Sequence, residues 1–403
     1  MRIVKIVAII SLIAILATVG YIYFNRQALL NQSLDKVLAN LLPSFMEVDN
    51  LSLDLDKKTI NIENLRIKNP KGFTHPYLAE APTISCSYRQ RDNTNLLKGI
   101  NIDDIKLVNL KIYIDRNRNG EVNIGHMEEV LKSSKPMKKL GTKSKMLGFF
   151  SYLLSPVKDI NQLLDIDPVF NISAGVFGFD DSFIDARGYK TTISDINAVV
   201  TLDLQKGFQG INYLTSKGRG VVNGKRPQYL DWDVKYDPTT EKLTMANNLI
   251  ISDIDFVHFA PYYDQYSPFT FQKGKASGEL MFNFDNGNIG SMNEIRFAGL
   301  EFEPKKNNSF NKFWPTGTED LYKYFSDQSG EIVFDFKIKG SIDEPKFYLG
   351  SKTKRALSQM VIYKIADVIF KKDNDQETNQ QPSDTPSKDK SDFEKVLDII
   401  KSF

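Results

Sequence analysis

One cysteine, three histidines and two tryptophans in 403 residues leave several kinds of chemistry without material. The lone thiol, Cys86, excludes an internal disulfide framework. Its place in the alternation Ile84-Ser85-Cys86-Ser87-Tyr88 reads as a small buried strand residue. His75, His126 and His258 are too scattered to promise a metal or acid–base cluster, and no metal or other cofactor is expected. Lysine and arginine number 52 against 50 aspartates and glutamates, a net charge of +2, so composition gives no support to nucleic-acid binding. The chain also lacks a G-x-S-x-G elbow, a phosphate loop and a Cys/His pair. Its adjacent carboxylates, Asp103-Asp104 and Asp180-Asp181, would point to opposite faces of a strand and cannot act as a catalytic pair. They read as turns or bulges, and the expectation is a protein that is not an enzyme.

What the chain does have begins at its N-terminus. Residues 6–24, IVAIISLIAILATVGYIYF, carry no charge and follow Arg2 and Lys5. At ~1.5 Å per residue such a helix is ~28 Å long, enough to cross a hydrocarbon core. Basic residues before the run place the N-terminus in the cytoplasm and the bulk of the chain outside. A cleaved signal peptide is the competing reading. The length of the run, and the want of a small-x-small site before a polar junction, favour an uncleaved anchor. Residues 26–43 then show helical spacing, with apolar positions at 30, 34, 37, 38, 41 and 42 and a stop at Pro43.

Beyond Pro43 the apolar period changes from 3.6 to 2. Leu51, Leu53 and Leu55 alternate with polar residues, as do Ile60 and Ile62, and later Ile112 and Ile114. These are strands with one apolar face. INIENLRI (60–67) recurs as INIDDIKL (100–107), with weaker echoes in TTISDINAVV (191–200) and IISDIDFVHF (250–259). In both clear copies the apolar parity flips midway, at Glu63-Asn64 and Asp103-Asp104, which requires a bulge or a bend there.

Residues 132–145 hold Lys132, Lys135, Lys138, Lys139, Lys143 and Lys145 and no acid. This stretch reads either as a solvated linker or, with the apolar segment 146–157, as an element touching an anionic membrane surface. Strand character returns near Phe170 and lasts to about Gly350, with a short helix expected over Glu319–Phe325. A helix follows at 352–372, with Leu357, Val361, Ile365, Val368 and Ile369 on one stripe. Residues 372–392 are polar and expected to be disordered, and 393–403 close the chain with an amphipathic helical pattern.

The expected layout is therefore an anchor at 1–25, an amphipathic helix at 26–45 and a first β region at 46–130. A basic linker with an amphipathic helix follows at 131–165, then a second β region at 166–350. A capping helix at 351–371, a tail at 372–392 and a terminal helix at 393–403 complete it.

The stretch Ile114 to Ile124, IDRNRNGEVNI, opens like a calcium-binding EF-hand loop. Such a loop needs helices on both flanks and a bidentate glutamate at its twelfth position. Counted from Asp115 that position is His126, and LKIYI before it alternates as a strand. Asn119-Gly120 is instead a hairpin signal, because both residues tolerate positive φ. A turn is expected here.

Residues 69–124 resemble the N-terminal segment of the AsmA-like proteins of Gram-negative bacteria. Asn69-Pro70, Gly72-Phe73, Pro76, Leu78-Ala79, Leu96-Leu97-Lys98-Gly99, the Asn-Gly turn and Asn123 come in that order. Residues 320–347 are similar to the C-terminal signature of the same superfamily, in a branch whose function is not defined. There the anchors are Leu321, Asp327, Gly330, Ile332, Lys339-Gly340-Ser341 and Asp343 to Phe347. Residues 260–280 have the same family's Pro-Tyr pair before a glycine-bounded strand.

The resemblance implies a long curved antiparallel sheet forming an elongated groove, held to the bacterial inner membrane by the N-terminal helix, with the bulk of the chain in the periplasm. Such a sheet has too few helices to cover its apolar side, so it must curl or bind something apolar. The expected function is non-enzymatic handling of phospholipid or another acyl-chain lipid in building the cell envelope and outer membrane. Leu51, Leu53, Leu55, Ile60, Ile62, Ile112 and Ile114 are the candidate groove lining, though parity alone does not say which face is inner. The six lysines of 132–145 are the candidate membrane-surface residues, and the terminal helix is a candidate contact for an envelope protein. The alternative is a structural or assembly factor for envelope or outer-membrane proteins that carries no lipid. A third reading has an open sheet edge accepting a strand from a client.

Overall fold

A computed structural model describes residues 45–54, 57–90, 100–126, 169–185, 188–204, 211–264, 267, 269–305 and 318–360. The expectations for 1–44, including the anchor, and for the lysines of 132–145, the tail and the terminal helix lie outside these residues. Among the described residues no helix is long and apolar enough to cross a membrane.

The protein is mainly β, one large sheet with few helices. The first strands are β1 (Met46–Glu47), β2 (Asn50–Asp54), β3 (Thr59–Lys68), β4 (Tyr77–Gln90), β5 (Ile100–Val108) and β6 (Lys111–Arg116). Next come β7 (Val169–Asp181), β8 (Tyr189–Leu204), β9 (Ile211–Val222), β10 (Tyr229–Asp237) and β11 (Thr244–Asp255). The last are β12 (Phe269–Asp285), β13 (Asn288–Pro304), β14 (Ile332–Ser341) and β15 (Glu344–Leu349). The α-helices include α1 (Ala260–Tyr263), α2 (Thr318–Phe325) and α3, described over residues 351–360.

Neighbours follow the order β1-β3-β4-β5-β7-β8-β9-β10-β11-β12-β13-β14-β15, with β2 on β3 and β6 between β4 and β7. The two expected β regions, 46–130 and 166–350, thus join in one sheet. The sheet is mixed rather than antiparallel throughout. β7 runs parallel to both β5 and β6, at Ile105↔Phe170 and Ile112↔Phe177. A hairpin reverses the chain, whereas the connection over residues 117–168 is long enough to carry it back to the same end, as a parallel crossover requires.

Residues group into two compact units, the first 1–249 with 284–287 and the second 250–283 with 288–403. In the first unit the parity flips have a backbone cause. Asn64, Ala174 and Asp195 hold left-handed φ values of 53°, 52° and 50° inside their strands, and Asn109, at 59°, separates β5 from β6. Glu63↔Thr83 and Leu65↔Ala81 keep one register across Asn64, so that flip is a bend without an inserted residue. The second repeat copy solves the same problem with a bulge. Ser87 pairs with Asp104 and Tyr88 with Ile102, which leaves Asp103 as the extra residue.

These positions line up across the strands. Pro82, with no N–H to offer, stands opposite Asn64 on one side and Asn109 on the other, and Asn109 is level with Ala174. Asparagine and aspartate suit such sites because their short polar side chains tolerate the left-handed region.

The second unit repeats the device at Asp253 (φ 52°) and Gly299 (φ 59°). Its core brings together Phe269, Phe297, Leu300 and Phe302 from β12 and β13, Phe325 from α2, Ile332 from β14, and Ala356, Leu357 and Met360 from α3. Of the stripe expected on this helix, Leu357 is buried in that core, while Val361, Ile365, Val368 and Ile369 lie outside the described residues.

Candidate functional site: an apolar face and a buried polar cluster

Cross-strand register decides which side chains share a face, because residues directly opposite point the same way. In the first unit one row runs Ile60–Cys86–Ile105–Phe170–Val200 and the next Ile62–Ile84–Leu107–Ile172–Ala198. Past the line of left-handed residues the flip keeps the apolar set on the same side. Leu65 pairs with Ala81, and Ile67–Ala79–Ile112–Phe177–Ile193 forms a further row. Ile114, level with Phe179, ends it.

Of the seven candidate lining residues, Ile60, Ile62, Ile112 and Ile114 therefore share one face. Leu51 joins them opposite Ile62, and Leu53 stands opposite Ile60 in register. Leu55 lies outside the described residues. Burial varies along this face. Ile84 and Ile105 are 0% exposed and Ile60 and Ile62 are buried, while Leu51, Ile112, Ile114, Phe177 and Phe179 are only half-buried. Phe170, Phe177 and Phe179 were not among the sequence candidates. The alternation Phe170-x-Ile172 followed by Phe177-x-Phe179 carried the signal, interrupted by the flip at Ala174.

Cys86 sits within this face, and burial, followed by the nearby Asp104 carboxylate, pushes its thiol up to about 12. The thiolate, the reactive form, is therefore not populated near neutral pH.

The reverse face carries a different chemistry. Asp115, the first residue of the EF-hand-like stretch, is buried and held by the loop before β4. Its Oδ2 accepts from the Asn69 amide at 3.0 Å and the His75 backbone N–H at 2.8 Å, and its Oδ1 lies 2.6 Å from His75 Nδ1. The His75 ring stacks on Tyr113 at 4.2 Å between centroids, and Tyr113 in turn covers Gly178, where even a Cβ would come within 2.8 Å of the ring. Buried Asn123 donates to Asn69 Oδ1 and to the Tyr113 carbonyl. Next to Asp115 in register is Asp180, also buried, with Lys190 Nζ 2.9 Å from its Oδ2.

Ligand atoms of His75, Asp115 and Asp180 lie within 4.8 Å of one another, a spacing a cation fits. Protein groups also contact both carboxylates. Both Asp115 oxygens accept hydrogen bonds, and the Lys190 ammonium balances Asp180. The cluster is a polar staple that fastens the 69–76 loop to β6 and β7.

The expected turn closes beside it. Asn117 Oδ1 accepts from the N–H groups of Asn119 and Glu121, Gly120 N–H bonds the Asn117 carbonyl with φ at 82°, and Arg116 bridges Val122. Asp181 is likewise structural. It pairs with Arg116 at 3.4 Å and caps the N–H groups of Phe183 and Ile184.

No family model and no curated protein matches the chain.

Proposed function

We propose that the chain is an AsmA-like, membrane-anchored protein whose apolar sheet face takes the acyl chains of a phospholipid in the periplasm, with headgroups left toward water and no chemistry performed. The observation that carries this reading is the register of the first unit. Rows from β3 to β8 present one apolar face, and its Ile112–Phe177 and Ile114–Phe179 rows stay half-buried, the second ending at Thr191 on β8. Lipid chains are the occupant that matches such a face without demanding polar partners. The long curved groove, the inner-membrane anchor at residues 6–24 and the role of the lysines at 132–145 belong to this proposal.

Residues 26–403, purified without detergent, are to be examined by native mass spectrometry and lipid extraction. Near-stoichiometric phospholipid is expected, and Ile112→Asp or Ile114→Asp should remove it while the far-ultraviolet circular dichroism is unchanged. A folded, lipid-free protein would sink the lipid reading in favour of an assembly factor.

A further inference from the structure

We propose that the β14–β15 hairpin is a docking surface for an anionic lipid bilayer. The proposal stands apart from the acyl-chain reading, because it concerns the outside of the second unit.

Register defines the patch. Lys339 stands directly opposite Lys346 and Lys337 opposite Tyr348. The β13 register, Gly290↔Lys339 and Asn293↔Phe336, puts Met292 level with Lys337. One face of the hairpin therefore reads Met292–Lys337–Tyr348 beside Gly290–Lys339–Lys346. Phe347 projects from the other face, stacked on Phe336 at 5.1 Å, and Ile342 occupies the turn.

Among the described residues of the second unit, four of the five large apolar side chains left exposed are in this small region. They are Met292 (56%), Ile342 (43%), Phe347 (61%) and Tyr348 (43%); Ile250 is the fifth. Exposed apolar groups so concentrated mark a surface that meets something.

Charge narrows the choice of partner. Lys337, Lys339 and Lys346 gather on one face of the hairpin, with Asp343 and Glu344 at the turn and Asp335 engaged by residues 352 and 353. Like charges directly across a strand pair are destabilising. Among the described residues neither Lys339 nor Lys346 has an acid within ion-pair distance, and the same holds for Lys337. An anionic headgroup layer supplies the missing counter-charge, and aromatic and aliphatic side chains at its level enter the interface.

A strand from a protein partner fits less well. The Gly350 N–H bonds the Asp335 carbonyl, so by alternation residues 345, 347 and 349 turn their backbone groups to the free edge. Pro345 has no N–H to give there. Lysine and proline alone would be an ordinary protection of an edge strand. Three bulky exposed side chains in and beside the same turn are not.

The test uses the full chain held in phosphatidylcholine nanodiscs and sedimented with sucrose-loaded vesicles. One set of vesicles is phosphatidylcholine, the other equal parts phosphatidylcholine and phosphatidylglycerol. Binding to the anionic set is expected. Each basic residue near such a surface is worth roughly fivefold in partitioning, so Lys337→Glu/Lys339→Glu/Lys346→Glu should weaken it by roughly a hundredfold or more. A charge-matched control, Lys225→Glu/Lys235→Glu/Lys275→Glu, should retain most of it.

Phe347→Cys carrying an environment-sensitive dye should shift to the blue on anionic vesicles only. The native thiol, Cys86, is buried and does not compete for the label. Equal losses in the hairpin and control variants, or an unshifted dye, overturn the proposal. So does a dimer abolished by Phe347→Ser with no vesicle binding. Lipid co-purified with the chain is a separate readout, so the two proposals can fail independently.

Discussion

Ala174 holds a left-handed φ of 52° with an ordinary side chain, while the other flips in the first unit use asparagine or aspartate. Its Cβ crowds the following carbonyl oxygen, which costs on the order of 1–2 kcal/mol. Glycine removes that strain at some cost in unfolded-state entropy. Ala174→Gly should therefore raise stability by up to about 1 kcal/mol, seen as a higher urea midpoint with an unchanged slope. Asn64→Ala, which imports the strain, should lower it by a similar amount. The sequence made the sites at Asn64 and Asp103 visible through the broken alternation around them. At Ala174 the sign is fainter: apolar parity changes between Phe170-x-Ile172 and Phe177-x-Phe179, but Gly175 leaves no apolar residue beside the flip. The polar staple was hidden for another reason. His75, Asp115 and Asp180 lie far apart along the chain, and only the register of β6 on β7 and the fold of the 69–76 loop bring them together. The D-x-N-x-N-G stretch drew attention to Asp115 through a resemblance that its strand context excludes.

Among the elements, α3 is capped by a carboxylate from a strand. Asp335, on β14, accepts the backbone N–H of Lys352 and of Thr353 and the Thr353 hydroxyl, at 3.2, 2.7 and 2.8 Å. Burial works to raise its pKa, but the bonds from Thr353 and Lys352 outweigh that and hold the carboxyl below its ordinary value. A depressed folded-state pKa gives stability that is complete above the ordinary aspartate range and is lost as pH falls through the lowered value. Protection factors at the amides of residues 351–360, taken against the intrinsic exchange rate at each pH, should therefore fall on acidification below about pH 4. In Asp335→Asn the same amides should exchange faster at neutral pH and lose that pH dependence. Asp335→Ala should cost about 1–2 kcal/mol, the usual loss of a helix cap. The 3.6 period announced a helix here, and Leu357 of its expected stripe is buried. Its cap comes from a strand more than a dozen residues earlier, which no local pattern records. Strand direction was illegible for a related reason. Alternation fixes which face a residue takes but not which way the neighbouring strand runs, so the parallel pairing of β7 appears only in the folded chain.

For the molecule as a whole, Cys86 offers a built-in reporter. The thiol lies mid-row between Ile60 and Ile105, and a reagent reaches it only when the first unit opens. Under native conditions, labelling by a thiol reagent at pH 8 should be slower than that of a free thiol by orders of magnitude. Its rate should rise with urea in step with loss of the β circular-dichroism signal. Rapid native labelling would mean that this face opens by local fluctuation and would weaken the case for a packed β3–β5 end.

Strand order has a consequence in time as well. From β8 to β11, and again from β12 to β15, each strand pairs with the one synthesised just before it. A chain emerging N-terminus first can thus add strands one at a time, each finding its template already in place. β7 too pairs with the strand made just before it, β6, but residues 117–168 must pass before it can join β5 and β6. Until it does, the β5–β6 edge stands bare, and that interval is when a nascent chain of this protein is most in need of a chaperone.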